Sequence, residues 1–338
     1  LPTEIFTTPS EHFKNITFKN FRRFKELTIN NIGQFNLIVG DNNVGKTSVL
    51  EGLLFSPDSQ EFAKRLAYSY ADRCNGLEFK DIKQDFWKDF LLNTQKDETI
   101  QYTLSAQRKQ WQYKFPDGSI DISTLRELEY IDSIKTPMIP FGKGFRGDLK
   151  TAYEQEISPS KPLRKEFVEN MKVFIPEIEG ITGHKDGGIG IEEKDVDEST
   201  SLHQFGEGAN KLFRILMQMT FQKNGRIMID EIDAGIHYTR FPKFWEVILK
   251  VAYQNKIQIF ATTHNLECIQ HFKDVLDDYE LFENMMTENE FEEFKQKSRV
   301  ITLKESANNN IKTYTRTFEE FEYALERGSM YFRGGANE

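Results

Sequence analysis

Cysteine is scarce in this chain. The two present, Cys74 and Cys268, lie far apart and match no metal-ligand spacing, which excludes a disulfide framework and reads as two reduced thiols. Long apolar runs are missing too. The longest, such as Ile227 to Ile229 and Ile257 to Ala261, fall far short of the roughly 18 residues of a spanning helix. Leu1–Ser10 holds no basic region followed by an apolar one, so no signal peptide is expected. A cytoplasmic location without membrane contact is the expectation. Bases are outnumbered, 44 against 53 acids for a net charge of −9, which argues against non-specific coating of nucleic acid. Internal repeats and low-complexity linkers are absent. Aromatic residues are plentiful, with 29 Phe, 12 Tyr and 3 Trp among 338 residues, so a packed core is expected, in one large α/β domain or two smaller ones.

The apolar pattern reads as strands around Ile16, Phe18 and Phe21, then Leu27 and Ile29, then a buried strand over Phe35 to Val39. A helix follows, with Val49, Leu50, Leu53 and Leu54 on one face, and ends before Pro57. Between 60 and 200 the pattern is weaker. Thr99 to Phe115 reads as a strand closed by a turn at Asp117-Gly118, with a partner near Ile120 and Ile122. Thr124 to Ser133 reads as a helix broken by Pro137-Met138-Ile139-Pro140. Leu163 to Phe174 reads as an amphipathic helix stopped by Pro176, and Gly183 to Gly190 as a turn between strands. From 201 the order is loop, helix (Leu212, Ile215, Leu216 and Met219 on one face), strand Arg226 to Ile229, helix from about Phe241 to Tyr253, and strand Ile257 to Thr262. Val300 to Tyr314 reads as a last hairpin. Thr317 to Arg327 reads as a helix burying Phe318, Phe321 and Leu325. Asp274 to Phe294 holds nine acids and no base, a solvated face or a docking surface for a basic partner.

Polar motifs stand at the carboxyl ends of the buried strands, where open α/β sheets bind ligands. Gly40-Asp41-Asn42-Asn43-Val44-Gly45-Lys46-Thr47 satisfies G-x-x-x-x-G-K-[ST] between a strand and a helix, and Ser48 extends it. Such a loop turns its N–H groups onto phosphate oxygens at a helix N-terminus. Lys46 would reach the β- and γ-phosphates, and the Thr47 hydroxyl would ligate Mg²⁺. Asp230, ending a buried strand, is placed to hold Mg²⁺, and Glu231 to orient or deprotonate an attacking water. His264 follows the next strand as a polar contact for the γ-phosphate. Gly206-Glu207-Gly208 opens a helix and is a second anion site. Lys19, Arg22, Arg23 and Lys25 form a basic cluster near the P-loop, either a solvated strand edge or a loop approaching the nucleotide. His12, His184, His203 and His271 have no partner spacing. Asn255-Lys256-Ile257-Gln258 departs from the guanine-reading Asn-Lys-x-Asp pattern at its last position, which favours ATP over GTP.

Five stretches together carry a resemblance: Phe18-Lys19-Asn20-Phe21-Arg22-Arg23-Phe24, the P-loop, Phe205 to Lys211, Asp230 to His237, and Phe260 to Cys268. In this order they resemble the ABC-type P-loop ATPases of the RecF/SMC/OLD (overcoming lysogenisation defect) superfamily, nearest to stand-alone prokaryotic OLD-like AAA ATPases of anti-phage defence. The resemblance covers 14–55 and 200–270 firmly. It implies an α/β ATPase head with a mixed central sheet, flanking helices, an antiparallel β lobe and a helical insertion. One composite domain over 1–338 is expected: a P-loop lobe at 1–60, an insertion at 61–200 with a β hairpin and helices, and 201–338 carrying the signature, Walker B and the switch histidine. In the family the glycine loop completes a nucleotide site held by another subunit, so Gly206, Glu207 and Gly208 are expected to act in trans. A head-to-tail dimer or higher homo-oligomer follows from that. Two departures are visible. The serine of the LSGGQ signature is not evident, with Gln204-Phe205 before the glycine, and His237 stands where an aspartate is usual. Slow or partner-activated turnover is therefore expected.

The resemblance implies an ATP-hydrolysing switch that controls a separately encoded effector, a TOPRIM-type nuclease or a toxin, since no room is left after residue 270 for a TOPRIM domain. The alternative is a DNA-gripping ATPase of RecF or SMC type, opposed by the net charge of −9 and by the lack of a long heptad region.

Overall fold

A computed structural model describes residues 12–56, 58–74, 82–83, 86–92, 99–106, 109–115, 136–140 and 149–327. Strands β1 (Phe13–Phe21) and β2 (Phe24–Ile29) pair antiparallel, with Ile16 opposite Ile29 and Phe18 opposite Leu27. Alternation puts Ile16 and Phe18 on one face, where both are fully buried. On the other edge of β1 lies β4 (Ile100–Ala106), and β5 (Lys109–Phe115) follows it, so the lobe is a four-stranded antiparallel sheet ordered β2-β1-β4-β5. The stretch Thr99–Phe115, expected as one strand, is thus two arms that fold back on each other. A single strand of that length would far exceed the five or six residues usual in globular proteins, and pairing satisfies backbone groups along both arms. Asp117-Gly118, Ile120, Ile122 and the expected helix over Thr124 to Ser133 lie outside the described residues.

The central sheet is built on β3 (Phe35–Gly40), buried at all six positions. Beside it on one edge are β12 (Ser298–Glu305) and β13 (Ile311–Arg316). On the other are β11 (Gln258–Thr262), β10 (Arg226–Ile229) and β6 (Met138–Ile139), giving the order β13-β12-β3-β11-β10-β6. All neighbours run parallel except β12 and β13, so the sheet is mixed. Pro137 to Pro140, expected to break a helix, instead frames β6. The Pro137 carbonyl accepts from Met228 N–H at 2.7 Å and the Ile139 carbonyl from Asp230 N–H at 2.9 Å. An edge strand tolerates flanking prolines because its outer side needs no donor.

The sheet divides two cores. Phe35, Leu37, Val39, Ile227, Ile229, Ile259 and Ala261 face one; Ile38, Met228 and Phe260 face the other. Coverage on both faces explains why these strands read as continuous apolar runs. The first core is closed by helices α3 (Leu149–Glu156), α4 (Lys161–Met171), α5 (Gly206–Phe221), α6 (Phe241–Gln254), α7 (Leu266–Asp277), α8 (Glu288–Lys295) and α9 (Phe318–Glu326), with a small sheet of β7 (Ile178–Gly183), β8 (Ile189–Glu193) and β9 (Thr200–Ser201). The second holds the β lobe, α1 (Lys46–Gly52) and α2 (Ser59–Arg73). Residues from 61–200 therefore pack into both cores.

Glu51 on α1 ties the second core together. Its side chain is fully buried and accepts from Arg22 at 2.9 and 3.0 Å, Ser69 at 2.9 Å and Arg73 at 2.7 Å. Stripped of Arg22 and Arg73 together, Glu51 would be an uncompensated buried charge, a loss of about 3–5 kcal/mol. In the acidic stretch, Phe282, Phe291 and Phe294 are buried, while Lys295 reaches Asp277 and Glu292 at 3.5 and 2.9 Å.

Candidate nucleotide site

The phosphate-loop pattern sits between β3 and α1. Asp41, Asn42 and Asn43 are exposed, Gly45, Thr47 and Ser48 half-buried, and Val44 and Lys46 buried. Gly45 is the α1 N-cap at φ +98°, with no side chain capping the helix. The first-turn amides of a helix have no intrahelical acceptor, so they remain free for an anion. Glycine is required at 45 for space as well: a Cβ there would stand 2.8 Å from the Phe24 ring. Arg23, beside it in the turn between β1 and β2, donates to the Asn43 carbonyl and to Glu305 Oε1 at 2.6 Å. The basic cluster is therefore divided: Arg23 braces the loop's backbone, Arg22 pairs with Glu51, and Lys19 pairs with Glu26 at the surface, 3.4 Å away.

Lys46 Nζ donates to the Gly40 and Asp41 carbonyls, both at 2.8 Å. Burial holds its pKa below the ordinary value, against the pull of Glu231, Asp230, Asp41 and Asp233. Thr47 Oγ1 donates to the Asp230 carboxylate at 3.0 and 3.1 Å. From β11, Thr262 Oγ1 donates to Asp230 Oδ1 at 2.7 Å and accepts from Glu231 N–H at 2.8 Å. Thr263 Oγ1 donates to Asp233 Oδ1 at 2.6 Å. Burial raises the Asp230 pKa, opposed by the Thr262 and Thr47 hydroxyls.

Glu231 turns out of β10 with φ +43°. Burial first, then Asp230, raises its carboxyl pKa, while His264 and Lys46 oppose the rise. His264 is exposed after β11 and lies close enough to act on that carboxyl. The P-loop, Asp230, Glu231 and His264 thus converge at the carboxyl ends of β3, β10 and β11. Gly206, Glu207 and Gly208 do not join them. Gly206 and Glu207 are exposed at the α5 N-terminus, and Gly208 packs on Phe174 and the Gly235 carbonyl. His237, exposed, shares a 2.9 Å hydrogen bond with the Thr239 hydroxyl.

No local spacing assigns a role to Thr262, Thr263, Asp233 or Lys211. Lys211 Nζ donates to the Glu231 carbonyl and, at 3.4 Å, to that of Ala234; burial lowers its pKa to about 8. The available signal was a lysine beside Leu212 and Ile215 on a helix whose other faces are apolar.

A strand–loop–helix phosphate cradle facing a strand-end carboxylate pair, on a mixed sheet with an antiparallel β lobe, defines an ABC-type P-loop ATPase head. Sequence comparison with known proteins agrees that it is an ATPase. Residues 13–161 match the model of an AAA ATPase domain, and 145–269 match an AAA domain described as putative AbiEii toxin, Type IV TA system. An ATP/GTP phosphatase of Helicobacter pylori is 21% identical over 325 residues, covering 78% of this chain and 88% of that protein. Endonuclease GajA of Bacillus cereus is 27% identical over 212 residues, covering 58% of this chain and 34% of GajA, so this chain spans about a third of that relative. The Pyrococcus furiosus Smc head bound to the C-terminal domain of ScpA superposes with a TM-score of 0.48 at 12% identity, over 94% of this chain and 99% of that one. The chain is a P-loop ATPase, with AAA-type ATPase domain models matched across residues 13–269.

Proposed function

We propose that this ATPase is a nucleotide-gated switch: ATP binds at Gly40–Ser48, a second copy closes over it with Gly206, Glu207 and Gly208, and hydrolysis reopens the pair. The carrying observation is the relay from Thr47 through Asp230 and Thr262 to the Glu231 amide, which joins P-loop, β10 and β11 in one hydrogen-bonded chain. Thr47 Oγ1 and the Asp230 carboxylate are hard oxygen donors already in contact, a set that suits Mg²⁺. These two residues would hold the ion, which when bound offsets charge on the phosphates.

The chain's own groups do the rest. Loop amides at the α1 N-terminus hold phosphate oxygens. Lys46, whose ammonium rests on two carbonyls of the same loop, is positioned to move onto the β- and γ-phosphates. Glu231 takes a proton from the attacking water at its carboxylate. His264 contacts the γ-phosphate. The further part of the proposal is that closure controls a separately encoded effector, a TOPRIM-type nuclease or a toxin, in defence against phage. Its support is the likeness to an endonuclease and to a domain described as a putative toxin.

Calorimetric titration with Mg-ATP tests the site. Lys46→Ala should abolish measurable binding, and binding equal to the parent's would overturn the assignment.

A further inference from the structure

Lys211 stands where two motifs remote in sequence meet. It follows Gly208 by three residues on α5 and donates to two carbonyls, Glu231 and Ala234, of the turn after β10. That turn is conformationally demanding. Glu231 has φ +43° and Gly235 φ +76°, and a non-glycine residue stays in such a region only when its surroundings impose it. The surroundings are explicit. Glu231 N–H is fixed by the Thr262 hydroxyl, and Ile232 N–H by the Thr262 carbonyl at 2.9 Å. The Glu231 carbonyl accepts from Lys211 and from Ala234 N–H at 2.9 Å. The turn is also pressed against the head of α5. A Cβ on Gly208 would stand 3.0 Å from the Gly235 oxygen, and one on Gly235 2.8 Å from Glu207 Cβ. Glycine at both positions lets the two backbones touch.

One side of Glu231 is thus anchored to β11 beside the P-loop, and the other to the helix whose exposed tip carries Gly206 and Glu207. A lysine with its ammonium withdrawn from water needs partners. Here the partners are the backbone of the Glu231 turn, with Asp233, Asp230 and Glu231 supplying the nearby negative charge.

We propose that Lys211 is a positioning residue for ATP hydrolysis: it couples the seating of the Gly206–Gly208 loop to the placement of Glu231. Lys211 acts through Glu231 and does not touch the phosphates. The inference rests on reading Glu231 as the base.

The test is steady-state hydrolysis and calorimetric ATP binding on the full chain carrying Lys211→Met, which keeps the length and loses the donors. kcat should fall roughly 10- to 100-fold, the scale of a misplaced catalytic group, with KM and ATP affinity within about twofold of the parent. In a Glu231→Gln background the same substitution should cause no further loss, since it acts through the group already removed. Lys211→Arg, which retains donors, should restore part of the turnover. Unchanged kcat, a parallel loss of affinity, or multiplying losses in the double variant each overturn the proposal. Should Lys211→Met not fold, Lys211→Gln carries the same comparison with a smaller expected loss. If neither folds, Lys211 is a packing residue and the positioning role is refuted. If Glu231→Gln alone turns over like the parent, the base assignment fails and this inference with it. A normal Glu231→Gln defect beside a silent Lys211→Met sinks only this inference.

Discussion

Glu231 combines a left-handed backbone angle with a carboxyl whose pKa is raised above the ordinary 4.5 by burial and by Asp230. The sign of the consequence is definite. A general base works ionised, so a raised pKa moves the acid limb of the rate profile upward. Turnover at saturating Mg-ATP should therefore decline at a pH above that of an unperturbed glutamate. Glu231→Gln should remove that limb while lowering kcat by about 10²–10⁴-fold, the usual worth of a positioned base. An acid limb at the ordinary glutamate value, or equal turnover in the variant, would refute the assignment. For stability the same shift runs the other way. A folded-state pKa above the unfolded one favours the protonated native form, so its contribution is present below the unfolded pKa and lost as pH rises through the folded value. Asp230 and Glu231 were legible because acids at the end of an apolar strand have no structural reason to be there. Thr262 and Lys211 were not, since a threonine in a strand and a lysine in a helix are ordinary, and their partner lies on another element.

Among the elements, α5 is the most informative. Its core side, with Leu212, Ile215, Leu216 and Met219 buried, was readable from helical spacing. Its tip carries Gly206 at φ +84° with nothing within 4 Å of an added Cβ. If that tip packs on a nucleotide held by a second copy, Gly206→Trp should leave ATP affinity unchanged and reduce kcat at least about tenfold, as loss of a transition-state contact does. Unchanged kcat would argue for a site complete within one chain. The strands read less evenly. β3, β10 and β11 stand out as short apolar runs, whereas the β4–β5 hairpin reads as one strand because Ala106 to Lys109 holds no glycine, proline, asparagine or aspartate to mark a break. β6 reads as a break because proline at a sheet edge and proline in a loop look alike until the neighbouring strand is known.

On the scale of the whole molecule, the sheet separates a lobe that bears the P-loop from a layer that bears α5, and the Glu231 turn bridges them. No helix among the described residues is long and apolar enough to cross a membrane. Closure of two copies around ATP predicts that Glu231→Gln with Mg-ATP doubles in mass by light scattering, while Lys46→Ala with Mg-ATP stays monomeric. A single-copy mass in both would refute nucleotide-driven pairing. The same assembly offered duplex DNA separates the switch reading from a DNA-gripping one. With a net charge of −9, little retention is expected, whereas a DNA-binding head would show affinity falling steeply with salt.

By itself the sequence determined the strand–loop–helix around Lys46, the carboxylates closing β10 and the apolar faces of the helices. Each of these is a local pattern whose physics is complete within a few residues. Only the tertiary structure decided that Arg23 and Phe24 brace the P-loop, that Thr262 links Asp230 to the Glu231 backbone, and that Lys211 ties α5 to the turn after β10. Those contacts join residues remote in the chain. Periodicity says which side of an element is buried, but only the packing of elements says against whom.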